Sequence, residues 1–143
     1  MTYEETIEWM NRYRIARRAE PGIKERLREE KRRAEYAETI RRQCPGGPDD
    51  KMDSTIQNIN ARQRKLAAEL IDGETARTEI ESAIAKVDDA LEREVLQARY
   101  IDGRTNRQIA ARMRITERYV RKLHRRAIFK VTKLVPLSSA PVC

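Results

Sequence analysis

The chain is poor in the residues that build disulfide-rich, metal-binding or catalytic proteins. Its 143 residues include two cysteines, Cys44 and Cys143, and one histidine, His124. Two cysteines so far apart are not a disulfide framework, so we expect reduced thiols. One histidine and these cysteines lack the spacing of a zinc site, and no glycine-rich phosphate loop or paired catalytic carboxylates are indicated. The sequence therefore predicts a protein that is not an enzyme and needs no metal or cofactor.

Aromatic residues and long apolar runs are also scarce. Aromatics make up 5% of the chain, charged residues 38%, and the mean hydropathy is −0.83. A chain this polar does not fill a large globular core, but its apolar residues are periodic, so we expect long helices with narrow apolar seams. No apolar run reaches the ~18 residues of a membrane span, and the N-terminal stretch lacks a secretory signal pattern. We expect a cytoplasmic protein with no membrane partner.

Residues 3–43 are predicted to form one long helix. Apolar side chains recur at three- and four-residue steps, although Glu20 and Glu30 occupy seam positions. Pro21 removes a backbone hydrogen bond and clashes with the preceding turn, so we expect a kink or break there without a change of direction. Residues 12–42 hold twelve Lys or Arg against six acids. This basic arm is either a solvated face laced with ion pairs or, less readily, a second phosphate-contacting surface.

Residues 52–87 carry the clearest periodicity, the pattern of a coiled coil. Two prolines and two glycines within 44–50 predict the turn between the two long helices. We therefore predict an antiparallel helical hairpin over residues 1–87, and a homodimer formed through it, because a second copy would bury its small core. The seam positions of the second helix are Met52, Ile56, Ile59, Gln63, Leu66, Leu70, Gly73, Arg77, Ile80, Ile84 and Val87.

Capping residues define three short helices in the last third of the chain. Asp89, three residues before Glu92, and Thr105, three residues before Gln108, have the spacing of a capping box. Thr116 is a suitable cap for the last helix. The predicted helices are 90–102, 105–113 and 116–131, with a turn at Arg114-Ile115 that makes the last two a helix-turn-helix. The overall prediction is an all-α fold, a long antiparallel hairpin followed by a three-helix head.

Each short helix has an apolar face that we expect to point inward. The start of the first long helix should lie beside this head, so we interpret Trp9 as a core residue rather than a stacking platform for a base. His124 is expected on the surface rather than against a phosphate. The predicted inward residues are Leu91, Val95, Leu96, Ala98 and Ile101, then Ile109, Ala110 and Met113, then Val120, Leu123, Ala127 and Val131, with Trp9, Met10 and Tyr13 packed near Leu91 and Val95.

Positive charge is concentrated in the head. Residues 99–133 contain twelve Lys or Arg and two acids, a net charge of +10, whereas the whole chain carries +8. A basic face on a small helix-turn-helix is the electrostatic footprint of a protein that binds the DNA phosphate backbone. The alternative is a basic face that is merely solvated.

The segment VLQARYIDGRTNRQIAARMRITERYVRKLHRRAIFKV resembles region 4 of bacterial sigma factors. In that family the recognition helix reads a promoter element in the major groove. Arg118 and Tyr119 depart from the family pattern, so the resemblance does not imply the usual promoter hexamer. The matching residues are Val95, Leu96, Arg99, Tyr100, Gly103, Ile109, Ala110, Ile115, Thr116, Val120, Arg121, Leu123, Arg125, Ala127 and Lys130.

Carried over onto this chain, the resemblance points to the base-reading residues, and the basic face of the head supplies a second group of DNA contacts. The first turns of the last helix would read base edges, and the remaining cations would mostly hold phosphates. The base-reading residues would be Glu117, Arg118, Arg121 and Lys122, and the phosphate-binding residues Thr105, Arg107, Arg112, Arg125, Arg126 and Lys130.

The layout of the whole chain is similar to small phage and prophage proteins, including the ArpU-like late transcriptional regulators. That similarity implies a sequence-specific regulator of transcription that binds double-stranded DNA in the cytoplasm of a bacterial host. Two alternatives remain open: a region 4 mimic that binds RNA polymerase, and a small-terminase-like component of DNA packaging. The predicted domains are the hairpin 1–87, the region 4-like head 88–133 and a flexible tail 134–143.

Overall fold

The computed structural model describes residues 1–43 and 50–135, and all regular structure within them is helical. The predicted all-α fold class is confirmed. Most of the predicted turn at 44–50, residues 136–143 of the predicted tail and both cysteines lie outside the described residues. The helices are α1 (Tyr3–Gln43), α2 (Asp50–Ala85), α3 (Ala90–Leu96), α4 (Asn106–Met113) and α5 (Glu117–Leu134), with a π-helical segment, Gln97–Ile101, directly after α3.

The predicted seams of the two long helices are confirmed, and α1 and α2 pack together. All eleven seam positions predicted for the second helix are buried or half-buried. In the seam of α1, even Glu30 is only 6% exposed. Its Oε1 accepts a hydrogen bond from Arg62 Nε of α2 at 3.0 Å, and nearer the end of α1, Arg41 pairs with Asp53 at 3.5 Å. These two pairs show that the helices run antiparallel.

α1 continues through Pro21, so the break allowed by the sequence is wrong. A proline inside a helix costs about 3 kcal/mol through one lost hydrogen bond and a clash. Pro21 lies on the exposed side, whereas Ile23, two residues later, is 6% exposed. The packing of the seam offsets the local cost and keeps one helix of 41 residues.

The residues group into two compact units. One is Ala16–Asp72, the middle of the two long helices, and the other is Met1–Ile15 together with Gly73–Cys143. The predicted domain limits, 1–87, 88–133 and 134–143, stay a prediction.

The unit that contains α5 has a core built from the first turns of α1, the end of α2 and the short helices. Met10, Ile80 and Tyr100 are each 0% exposed and belong to one apolar cluster, which also includes Ile128 of α5. Trp9 is 9% exposed in the same cluster, which confirms its interpretation as a core residue. Its cluster contains Leu96 rather than the predicted Leu91 and Val95.

One prediction about the first short helix is wrong. Leu91 is 46% exposed, and Glu92 takes the inward position at 2% exposure. The carboxylate of Glu92 accepts a hydrogen bond from Lys130 Nζ at 2.5 Å. This pairing explains why the acidic Glu92, and not the neighbouring Leu91, can lie in the core. The helix predicted over 90–102 is present as α3 and, directly after it, the π-helical segment, in which Asp102 N donates to Gln97 O at 3.0 Å.

Candidate nucleic-acid interface

The start of α4 is fixed by the predicted capping box. Thr105 Oγ1 accepts from Gln108 N at 3.2 Å, and Gln108 Oε1 accepts from Thr105 N at 3.0 Å. Arg99 Nη1 adds a bond of 2.5 Å to Asn106 Oδ1, which ties the π-helical segment to the first turn of α4. The side chains of Thr105 and Gln108 satisfy backbone donors that a helix start leaves free. The entry to α4 is therefore well defined.

The turn from α4 to α5 is tight and lies at the predicted position, Arg114-Ile115. Arg114 adopts a left-handed conformation with φ of +57°, and its N–H donates to Ala110 O. For a residue other than glycine this conformation costs about 1–2 kcal/mol. Ile115 is half-buried against the core of the head, and Thr116 Oγ1 accepts from Tyr119 N at 3.1 Å. These contacts hold the strained turn and set the direction of α5.

The inner faces of α4 and α5 share a second apolar cluster, as predicted. Ile109 is 1% exposed, Val120 is 0% and Leu123 is 2%. Val95 at 0% and Ala98 at 3% complete it from the side of α3 and the π-helical segment. Because α5 packs on both α3 and α4, it is held as a rigid rod with its other face outside.

All four residues predicted to read bases lie on the exposed face of α5. They are Glu117, Arg118, Arg121 and Lys122. Arg121 Nη1 lies 3.8 Å from Glu117 Oε2, and both side chains are about half exposed. An exposed pair of this kind contributes little, on the order of 0–1 kcal/mol. Breaking this pair to contact another group would therefore cost Arg121 little.

Five of the six predicted phosphate contacts are also exposed, and the sixth is engaged within the protein. Lys130 Nζ lies 2.8 Å from Asp88 Oδ1 and 2.5 Å from Glu92 Oε2. These carboxylates, Asp88 first, raise the pKa of Lys130, and Lys130 lowers the pKa of Asp88. A phosphate would have to compete with two acids for this ammonium group. The exposed five are Thr105, Arg107, Arg112, Arg125 and Arg126.

Sequence reasoning passed over two exposed cations of the head. Arg114 lies in the turn between α4 and α5, and Lys133 lies in the last turn of α5. The net charge of residues 99–133 included both, but neither was named among the predicted phosphate contacts. Their exposure makes them further candidates for phosphate contact.

His124 was predicted on the surface, and this is wrong. It is 9% exposed, and its Nε2 lies 2.6 Å from the hydroxyl of Tyr100. Burial, with a smaller contribution from Arg99, lowers the pKa of His124 from 6.5 to about 4. The imidazole is therefore neutral at pH 7 and belongs to the interior of the head.

An exposed basic helix, joined by a tight turn to a capped partner helix, defines a helix-turn-helix DNA-binding domain. Residues 89–133, about a third of the chain, match the family model of Sigma-70, region 4. The predicted resemblance is confirmed for this segment, and the region 4 family is a DNA-binding, non-catalytic kind of domain. No curated protein and no solved structure matches the chain. The resemblance of the whole chain to ArpU-like regulators stays a prediction.

Within residues 1–43 and 50–135, no three His, Cys, Asp or Glu side chains come together in a way that could hold a metal ion. None of the helices described there combines the length and apolar character that crossing a membrane requires.

Proposed function

We propose that this protein is a sequence-specific regulator of transcription, encoded by a phage or prophage, that reads double-stranded DNA with α5 in the major groove. The observation that carries the proposal is the division of α5 into two faces. Val120, Ala127 and Val131 are each 0% exposed, whereas the predicted base-reading cations face solvent. At 18 residues, α5 is about 27 Å long, enough to lie along the groove.

The proposed contacts differ in kind. Arg118, Arg121 and Lys122 donate to base edges, and arginine pairs best with the two acceptors of guanine. Glu117 would accept from a cytosine amino group. The exposed cations of α4 and of the second half of α5 would neutralise phosphates and set the position of the head on the duplex. A homodimer through α1 and α2 would present two heads to paired half-sites.

Replacing Arg121 by alanine is expected to weaken binding to a selected cognate site by about 1–3 kcal/mol and to leave binding to random duplex nearly unchanged. The physical reason is that a base contact contributes only on the correct sequence. The measurement is fluorescence anisotropy of labelled duplexes, with the cognate site obtained by selection from random DNA.

Arg126→Ala is the matched control, since Arg126 is exposed on the same helix and is proposed to hold a phosphate. It should weaken all duplexes alike and reduce the slope of affinity against salt by about one charge. Lys130 is less suitable, because Asp88 and Glu92 already bind it. Equal loss on cognate and random DNA for Arg121→Ala would remove base reading from Arg121.

The second candidate is a region 4 mimic that binds RNA polymerase without reading DNA. The match of residues 89–133 to Sigma-70, region 4 favours it. Size-exclusion chromatography with purified, DNA-free bacterial RNA polymerase separates the candidates. The mimic predicts co-elution, with no duplex binding even at low salt. The DNA-reading regulator predicts duplex binding that falls steeply as salt rises.

A further inference from the structure

The compact unit Ala16–Asp72 contains an open apolar groove between α1 and α2, with a volume of about 360 Å³. Four aliphatic side chains line it: Ala37, Ile40, Met52 and Ile59. Beside them Tyr36 is 70% exposed, a large apolar surface left in water. The groove therefore offers a pocket for one or two apolar side chains of a ligand.

The rim of this groove is basic. Arg33, Lys51 and Arg62 line it, and the lining residues that the structure describes include no carboxylate. Glu30, buried at 6% exposure, accepts from Arg62 at 3.0 Å and from Arg33 at 2.8 Å. Two guanidinium groups thus share one carboxylate, and positive charge remains at the rim. The shared carboxylate also fixes both guanidinium groups in place.

The apolar floor and the basic rim of the groove determine whether a second copy, a nucleic acid or a peptide fits it. Two copies paired symmetrically through the groove would bring their two basic rims together, each with Arg33, Lys51 and Arg62, and like charges in contact oppose association. A nucleic acid would set its sugar-phosphate backbone against a largely aliphatic floor, where the Thr55 hydroxyl already donates to Lys51 O at 2.8 Å. A peptide with apolar and acidic side chains satisfies both the floor and the rim.

We propose that this groove binds an acidic amphipathic segment of another protein. An apolar side chain of that segment enters between Tyr36 and Ile40, and its carboxylates pair with Lys51 and Arg33. The proposal goes beyond DNA reading by α5, because it assigns a protein-binding surface to a part of the chain that the region 4 match does not include.

The probe is a synthetic, end-capped helical peptide with glutamates on one face and leucine and phenylalanine at i and i+4 on the other. Anisotropy of the labelled peptide is measured against the full-length protein. We expect a dissociation constant below about 0.1 mM. A peptide with glutamine for glutamate, and one with alanine for leucine and phenylalanine, should each bind about tenfold more weakly. Absence of binding by the acidic peptide would overturn the proposal.

Matched variants locate the binding. Tyr36→Ala and Lys51→Glu should each weaken the acidic peptide about tenfold. The controls are Ile71→Ala and Lys65→Glu, exposed positions of α2 in the same compact unit that do not line the groove. These controls should change the affinity by less than about twofold. Equal effects of groove and control variants would contradict binding at the groove.

Two further measurements test the other occupants. Sedimentation velocity should give the same mass for Tyr36→Ala and Ile71→Ala. Loss of an oligomer in Tyr36→Ala alone would assign the groove to a second copy and overturn the proposal. Duplex affinity should fall equally for Lys51→Glu and Lys65→Glu, and a selective loss for Lys51→Glu would assign the groove to nucleic acid instead. Neither result depends on base reading by Arg121, so the two proposals fail separately.

Discussion

Met10→Ala is expected to lower the free energy of unfolding by about 2–5 kcal/mol. Met10 is 0% exposed and lies in the apolar cluster that includes Ile80, Tyr100 and Ile128. Truncation removes apolar surface from this cluster and leaves a cavity that the neighbouring helices fill only in part. The measurement is urea unfolding followed by circular dichroism, together with hydrogen exchange at the amides of α5.

Ile15→Ala is the matched control for this experiment. Ile15 is on the same helix and in the same compact unit, but it is 66% exposed, so the change should stay within about 0.5 kcal/mol. Faster exchange in α5 for Met10→Ala, and not for Ile15→Ala, is the expected pattern. If both variants unfold at the same urea concentration as the parent, Met10 does not support α5.

This dependence matters for DNA binding because residues 1–15 lie outside the segment that matches region 4. Thr6 is 0% exposed, and its Oγ1 lies 2.9 Å from Thr132 Oγ1 of α5. Trp9 and Met10 pack in the cluster that holds Ile128 and Val131 of the same helix. The start of the chain is therefore part of the core on which the proposed recognition helix rests.

Much of the fold follows from interactions between residues close in sequence. The seams of α1 and α2 come from apolar residues three or four positions apart, which share one face of a helix. The starts of α4 and α5 come from Thr105 and Thr116, whose hydroxyls bond to backbone N–H groups three residues on. Such patterns act within one or two turns, so the sequence alone predicts them.

The wrong predictions depend on partners far away in sequence. Glu92 is buried because Lys130, 38 residues later, reaches it. No local pattern distinguishes it from an exposed acid, and so the apolar Leu91 was expected inside. His124 was expected outside because arginines surround it in sequence, yet it bonds to Tyr100, 24 residues earlier. A polar group that is buried with a distant partner looks like a surface residue in the sequence.

On the exposed face of α5, sequence periodicity predicts some side-chain positions, and others depend on contacts that only the packed structure shows. Periodicity separates Val120 and Leu123, which are buried, from Arg118 and Lys122, which face solvent. From periodicity alone, Lys130 is expected to be as free to bind a phosphate as these cations. The packed structure shows that Asp88 and Glu92 bind it instead. The candidate site is therefore better defined at the start of α5, where its cations have few internal partners, than at the end.

Stability is expected to fall by about 3 kcal/mol between pH 6.5 and pH 4 because of His124 alone. Its pKa is lowered from 6.5 to about 4 by burial, with a smaller effect of Arg99. Above pH 6.5 the imidazole is neutral in both states, and pH has no effect through this group. Below pH 6.5 the His124 imidazole binds a proton in the unfolded chain but not in the folded chain, so acid favours unfolding. The loss is complete once the folded protein also binds the proton, below about pH 4.

Comparison with His124→Gln isolates this effect from the carboxylates, which also titrate in acid. Glutamine keeps a group that bonds to the Tyr100 hydroxyl but has no proton to bind in this range. The stability advantage of the parent over His124→Gln should therefore shrink as pH falls from 6.5 to 4. Because the chain has one histidine, its imidazole C–H resonances report the titration directly. Resonances that move with a midpoint near 6.5 would show that the head does not exclude the proton, and the expected pH dependence would vanish with it.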